Sequence, residues 1–217
     1  MDTREKPLID PMRVTNYERG KAQLEAFWTF CIVVAGRNSE YAARVVSDLL
    51  RRAMNRNETP FEWMRELGPE GIRSKLVAHK AGQYTRISRA LVESLSLDLE
   101  TCTLDDLEGI HGVGPKTARF FLLHTRKDVE HVVLDTHVIK WLAKMGVDVP
   151  RKIYANKDDY RFYEAIAISL YRSHFPMLSL AEADLLVWST MSGRIDPAGE
   201  EAFDMAFPFE TREGVDE

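Results

Sequence analysis

Cysteine is nearly missing from this chain. Its 217 residues hold only Cys31 and Cys102, far apart and without metal-ligand spacing, which excludes a disulfide framework and a four-cysteine metal centre. Two buried free thiols in a reducing interior are the expectation. Long apolar runs are missing too: none approaches the roughly 20 residues of a membrane span. No stretch has the make-up of a secretory signal. An intracellular protein with no membrane partner is therefore expected. Alternating apolar patterns are absent apart from the short run Val132-Val133-Leu134, so strands are not expected. Internal repeats and low-complexity segments are lacking as well.

An overall positive charge is also missing: the net charge is −5, which on its face argues against a nucleic-acid partner. The acid is unevenly placed, however. From Asp196 onward there are eight acids and one base, whereas Met1–Ile195 carries 28 bases and 26 acids. A near-neutral body binds DNA where its positive charge is local. The acidic tail, 197–217, is expected to be a solvated end, with Ala206-Phe207-Pro208-Phe209 as the segment able to dock on the body.

What is present is helical periodicity throughout. After a polar lead-in, Tyr17–Ala35 reads as a helix, apolar almost all round from Phe27 to Val34, which marks a central, buried element. Gly36 ends it, and Ser39 is placed to cap the amphipathic helix Glu40–Met54. Thr59–Leu67 and Pro69–Ala78 are two short helices with capping or proline starts. His79–Leu97 is longer, with one side made basic by Lys80, Arg86 and Arg89, which serves equally to approach phosphate or to face solvent. Thr103 and Asp106 form a capping box before the next helix. Further helices are expected over Thr136–Met145, Asp158–Phe175 and, from a second capping box at Ser179 and Glu182, Ser179–Met191.

The chemistry concentrates at Leu107–Ala118, LEGIHGVGPKTA. It reads as two short helices joined by a tight hairpin, packed through Leu107, Ile110, Val113 and Ala118. Gly112 and Gly114 suit positive φ angles and a close backbone approach by a ligand. Pro115 suits a first helical turn, whose free N–H groups and dipole favour a DNA phosphate. Lys116 lies in that turn. On the hairpin alone it reads equally as a phosphate contact. Nineteen positions on, Asp135 closes the apolar run and is placed to cap the following helix.

Hairpin, lysine, apolar run and Leu134-Asp135-Thr136-His137-Val138 together resemble the helix-hairpin-helix, glycine/proline-rich, aspartate pattern of the endonuclease III superfamily of DNA glycosylases. Within it the chain is most similar to the archaeal-type second family of 8-oxoguanine DNA glycosylase/AP lyases. Phe30-Cys31-Ile32, Ala118-Arg119-Phe120-Phe121-Leu122 and the Ala183–Ile195 stretch carry that likeness, over about Tyr17–Asp196. Two features depart from it: the chain continues 21 residues past Asp196, and Thr136 stands where that family often has arginine, as in endonuclease III.

The resemblance implies an all-α, two-lobed helix-hairpin-helix glycosylase fold with the active cleft between lobes. One lobe would be 36–134, with six helices, and the other would combine 1–35 with 135–196. Lys116 would be the Schiff-base nucleophile, and Asp135 the carboxylate that stabilises charge on the deoxyribose. His111, Gly112, Val113, Gly114, Thr117 and His137 would contact damaged double-stranded DNA. Arg37 or Asn38 would fill the gap left by a flipped nucleotide. Phe30, Asp184 and Trp188 would stand near the base pocket, although a packed core explains them equally well. No catalytic metal, cofactor or iron–sulfur cluster is expected; a monovalent cation on the hairpin carbonyls, as in relatives, is allowed. The expected enzyme is a monomer of the cytoplasm or nucleoid that removes oxidised bases, 8-oxoguanine first. The alternatives are endonuclease III-like removal of oxidised pyrimidines and a non-catalytic helix-hairpin-helix DNA-binding scaffold.

Overall fold

The helix that is apolar on nearly every side becomes the core of its unit. In the computed structural model, which describes residues 7–150, 153 and 156–194, it is α1, Lys21–Val34, and Phe27, Trp28, Phe30, Ile32 and Val33 are all buried. The acidic tail 197–217 and residues 1–6 lie outside the described residues. α1 starts four residues later than the sequence suggested, because Gly20 caps it and the Gln23 side chain accepts from the Gly20 N–H. Around α1 pack α2 (Ser39–Asn55), α3 (Pro60–Ala78), α4 (Tyr84–Ser94) and α6 (Pro115–Thr125); the short α5 (Leu104–Glu108) packs on α6.

These six helices lie in the first of two compact units, Met1–Lys127; the second is Asp128–Glu217. Two buried polar contacts tie α1 to its neighbours. Trp28 Nε1 donates to Ser94 Oγ at 2.8 Å. The buried Glu25 carboxylate accepts from the Phe61 N–H, also at 2.8 Å, where the first turn of α3 has free donors.

Local chemistry sets the helix ends. Asn38, not Ser39, caps α2, its Oδ1 accepting from Tyr41 N at 3.0 Å; Ser39 is already helical. α3 runs through both short helices the sequence proposed, with a break at Gly68 (φ 63°) before Pro69. The helix read from His79 begins only at Tyr84. Lys80, Gly82 and Gln83 all have positive φ and make a left-handed turn that no helix can include.

The second unit contains α7 (Thr136–Lys144), α8 (Lys157–His174) and α9 (Leu180–Met191), with Trp141, Tyr160, Tyr171 and Phe175 in its core. Ser179 and Glu182 form the expected capping box. Among the described residues there is no strand, and no helix is long and apolar enough to cross a membrane. Cys31 and Cys102 are buried free thiols, both pushed up by burial.

Candidate functional site

The hairpin begins where the Thr103–Asp106 capping box sets the start of α5. A buried ion pair then fixes its two helices to each other. Arg119 of α6 reaches Glu108 Oε1 of α5 at 2.6 Å, both side chains being almost wholly buried, and also donates to Pro115 O at 3.3 Å. Leu107, Ile110, Val113 and Ala118 are buried between them, as the spacing required.

The two glycines of the turn have different reasons. Gly112 has φ 78°, and a Cβ there would lie 2.5 Å from Arg86 Cγ. Gly114 does not adopt a positive φ: it is extended at −106° and caps α6. Among the described residues nothing stands within 4 Å of where its Cβ would be, which leaves room there for an approaching backbone. The N–H groups of Gly112, Gly114 and Lys116 have no acceptor among the described residues, whereas those of Thr117 and Ala118 reach Gly114 O. Three free donors at the positive end of α6 make an anion cradle. Lys116 is half-buried beside it, with no ion-pair partner among the described residues. The Thr117 and Val113 side chains are buried in the hairpin.

Arg86 corrects the reading of α4 as a phosphate-facing basic side. Its guanidinium turns inward and donates to Gly112 O at 3.1 Å, Ile32 O at 3.0 Å and Gln83 Oε1 at 2.6 Å. The cause is accounting: the turn and the last turn of α1 leave carbonyls that need donors. Arg89 likewise pairs with Glu93 at 2.8 Å. The other Glu93 oxygen accepts from the His111 N–H at 2.6 Å, and these contacts hold the Glu93 carboxyl below its ordinary range. The His111 residue itself is exposed. For a monovalent cation the carbonyls fit in part. Gly112 O already receives Arg86, while His111 O and Val113 O accept nothing among the described residues.

The Gly36–Asn38 turn joins this network. The Arg37 guanidinium lies against Gly82, where a Cβ would collide with it, and its Nε is buried without a partner. Its charge, after burial, helps to lower Arg86. Asn38 is committed to capping α2. Phe30 lies in the ring cluster, 6.2 Å from Phe27 and 6.5 Å from Phe120 between centroids.

In the second unit the run Val132–Leu134 belongs to no helix, and there is no strand among the described residues for it to pair with. Side chains take the place of that strand. Glu164 Oε1 accepts from Val132 N at 3.2 Å, Asp184 Oδ1 from Val133 N at 3.1 Å, and the Tyr160 hydroxyl from Leu134 N at 2.9 Å. Tyr160 also donates to Val132 O at 3.2 Å, and His131 Nδ1 lies 3.1 Å from Glu164 Oε1. The run delivers Asp135, 8% exposed, to the start of α7. Its Oδ1 caps the helix, accepting from His137 N at 2.8 Å and Val138 N at 2.9 Å. Oδ2 makes no bond to the described residues and is not among the buried unpaired atoms.

His137 packs edge-on to Trp188, 6.4 Å between centroids, with its Nδ1 buried and unpartnered; Arg194 lies over the other ring at 5.2 Å. Burial first, then the carboxylates of Asp184 and Asp135, pushes the Tyr171 hydroxyl well up. Thus Asp135, His137, Asp184 and Trp188 are gathered in one unit, and the hairpin residues and Arg37 in the other. The sequence gives no sign of the inward role of Arg86, nor of any role for Tyr160 and Glu164. The signal for the last two was a buried apolar run whose N–H groups had no strand to bond.

The fold is all-helical among the described residues. No known protein family's sequence profile matches the chain, but solved structures do. The 8-oxoguanine glycosylase/lyase of Methanocaldococcus jannaschii, solved with a 15mer DNA containing 8-oxoguanine, matches at TM-score 0.64 and 19% identity, over 83% of this chain and 88% of that one. The 8-oxoguanine DNA glycosylase of Thermotoga maritima matches at 0.64 and 20%, over 85% and 87%. At these identities the likeness is one of fold.

Proposed function

We propose that this protein is a base-excision-repair DNA glycosylase with AP lyase activity, a monomer acting on damaged double-stranded DNA in the cytoplasm or nucleoid, with 8-oxoguanine as its main substrate. The observation that carries the reading is the divided role of Asp135: one oxygen holds α7 and the other is left for a reacting sugar. The shared fold and the position of Lys116 in the first turn of the hairpin helix support it.

In this account the free N–H groups of the hairpin bind a backbone phosphate, a contact that positions without reading sequence. The damaged base leaves the stack, and Arg37, rather than the committed Asn38, fills the gap. Lys116 Nζ attacks C1′ through its lone pair, its proton passing to solvent. The bond from C1′ to the base breaks, and the base departs with the electron pair and takes up a proton. Positive charge develops on the sugar, and Asp135 Oδ2 stabilises it. The C1′–O4′ bond then breaks, O4′ taking up a proton, to leave a Schiff base between Lys116 and C1′; a C2′ proton passes to solvent, and the C3′–O3′ bond breaks to expel the 3′ phosphate and nick the strand. A monovalent cation on His111 O and Val113 O would add positive charge beside the phosphate.

One residue favours a second reading. Thr136 is exposed beside Asp135 and matches endonuclease III, which points to oxidised pyrimidines. Single-turnover excision on duplexes bearing 8-oxoguanine or an oxidised pyrimidine separates the two: faster release of 8-oxoguanine is expected. Release of oxidised pyrimidines alone would reverse the substrate, and no release from any duplex would leave a DNA-binding scaffold.

A further inference from the structure

We infer that Tyr160 and Glu164 are positioning residues of the excision step, acting through Asp135; the inference rests on the glycosylase reading above. A non-helical segment buried in a helical unit has no ladder to satisfy its backbone, and an unpaired buried N–H is strongly disfavoured. Here the segment's three consecutive N–H groups are each taken by a different buried side chain, from α8 or α9. Tyr160 does most. Its one hydroxyl accepts from Leu134 N and donates to Val132 O, spanning Val133 from both sides. The next residue is Asp135, whose own N–H donates to Val133 O at 2.6 Å. A shift of the run therefore moves the Asp135 backbone directly.

Glu164 anchors the other end, receiving Val132 N while His131 stands at the same oxygen. An open carboxylate oxygen is useful only if held at a fixed place, and a displacement of about 1 Å lowers a rate by about 100-fold. Core packing alone requires neither group: phenylalanine would fill the space of Tyr160, and leucine much of that of Glu164.

The test is a double-mutant cycle on the full chain, read by single-turnover excision with DNA affinity and thermal melting alongside. Tyr160→Phe is expected to lower excision by about 10- to 100-fold, with affinity for an abasic-site duplex unchanged. In an Asp135→Asn background the same substitution is expected to cost less than about 3-fold, because the group it positions is already lost. Glu164→Gln, which keeps the accepting oxygen, is expected to excise within about 3-fold of wild type, and Glu164→Leu to fall as Tyr160→Phe does. Equal losses of Tyr160→Phe in both backgrounds would assign it a merely structural role and overturn the inference. So would a folded Tyr160→Phe with the wild-type rate. A wild type that excises nothing would instead overturn the glycosylase reading, and this inference with it.

Discussion

Replacing Gly112 by alanine tests whether the hairpin's shape depends on that one backbone conformation. Alanine at φ 78° is disfavoured by about 1–2 kcal/mol. Its Cβ would also meet Arg86 Cγ at 2.5 Å, too near the root of that side chain to be relieved by its far end. Moving Arg86 weakens three hydrogen bonds, to Gly112 O, Ile32 O and Gln83 Oε1. Because the guanidinium is half-buried, about 1–2 kcal/mol more is reasonable. The total, about 2–4 kcal/mol, lowers Tm by roughly 5–15 °C for a chain of this size.

Gly114→Ala should behave oppositely. With φ −106° and open space around the new Cβ, it costs less than about 1 kcal/mol as a cap change, yet it places a methyl group where a phosphate must approach. DNA affinity should fall at least about 10-fold, the free-energy equivalent of roughly 1.4 kcal/mol. Thermal melts and DNA titrations of both variants, with Gly112→Ala repeated in Arg86→Ala, would show it. In that background only the backbone part, about 1–2 kcal/mol, should remain. Equal destabilisation by the two glycine variants, or a Gly112→Ala within about 0.5 kcal/mol of wild type, would show that the hairpin does not depend on the Gly112 conformation.

Three further outcomes follow from the same geometry. Asp135→Asn keeps the cap but loses the charge, so single-turnover excision should fall by roughly 100-fold or more at nearly unchanged Tm, while Asp135→Ala should also lose about 1 kcal/mol of stability as its cap disappears. Glu108→Leu leaves the buried Arg119 without its carboxylate and should destabilise the first unit by about 3–5 kcal/mol in denaturant titrations; adding Arg119→Met should recover much of that. His124 is fully buried, with Nδ1 2.8 Å from Thr15 Oγ1. Burial, then the Arg19 charge, lowers its pKa to about 3 from 6.5. The folded state therefore holds fewer protons than the unfolded one between these values. Its contribution is complete above pH 6.5 and is lost as pH falls toward 3, by up to about 1.4 kcal/mol per pH unit. Urea titrations should show that slope, and His124→Asn should flatten it.

Much of this architecture is legible in the sequence because local chemistry decides it. The capping boxes at Thr103 and Ser179, the proline start of α6 and the all-apolar face of α1 each specify a helix without reference to the rest of the chain. The Asp135 cap was legible for the same reason. What escaped is non-local. No pattern says that Arg86 turns inward, since an arginine on an exposed-looking helix face reads as solvated until the carbonyls of Ile32 and Gly112 are placed beside it. The late start of α4 depends on three consecutive-turn residues, Lys80, Gly82 and Gln83, of which only the glycine favours a left-handed backbone by composition. Tyr160 and Glu164 look like ordinary members of an amphipathic helix; their roles exist only once the unpaired run from Val132 to Leu134 lies against them. For Gly114 the sequence reading combines a positive φ with room for a close backbone approach; only the room is found, because the residue is extended.

The most direct test of the account is borohydride trapping on a duplex carrying a single 8-oxoguanine, with Lys116→Gln in parallel. A covalent protein–DNA adduct is expected with the wild type and none with Lys116→Gln. An adduct that persists in Lys116→Gln, or its absence from the wild type on 8-oxoguanine, oxidised-pyrimidine and abasic-site duplexes alike, would contradict it.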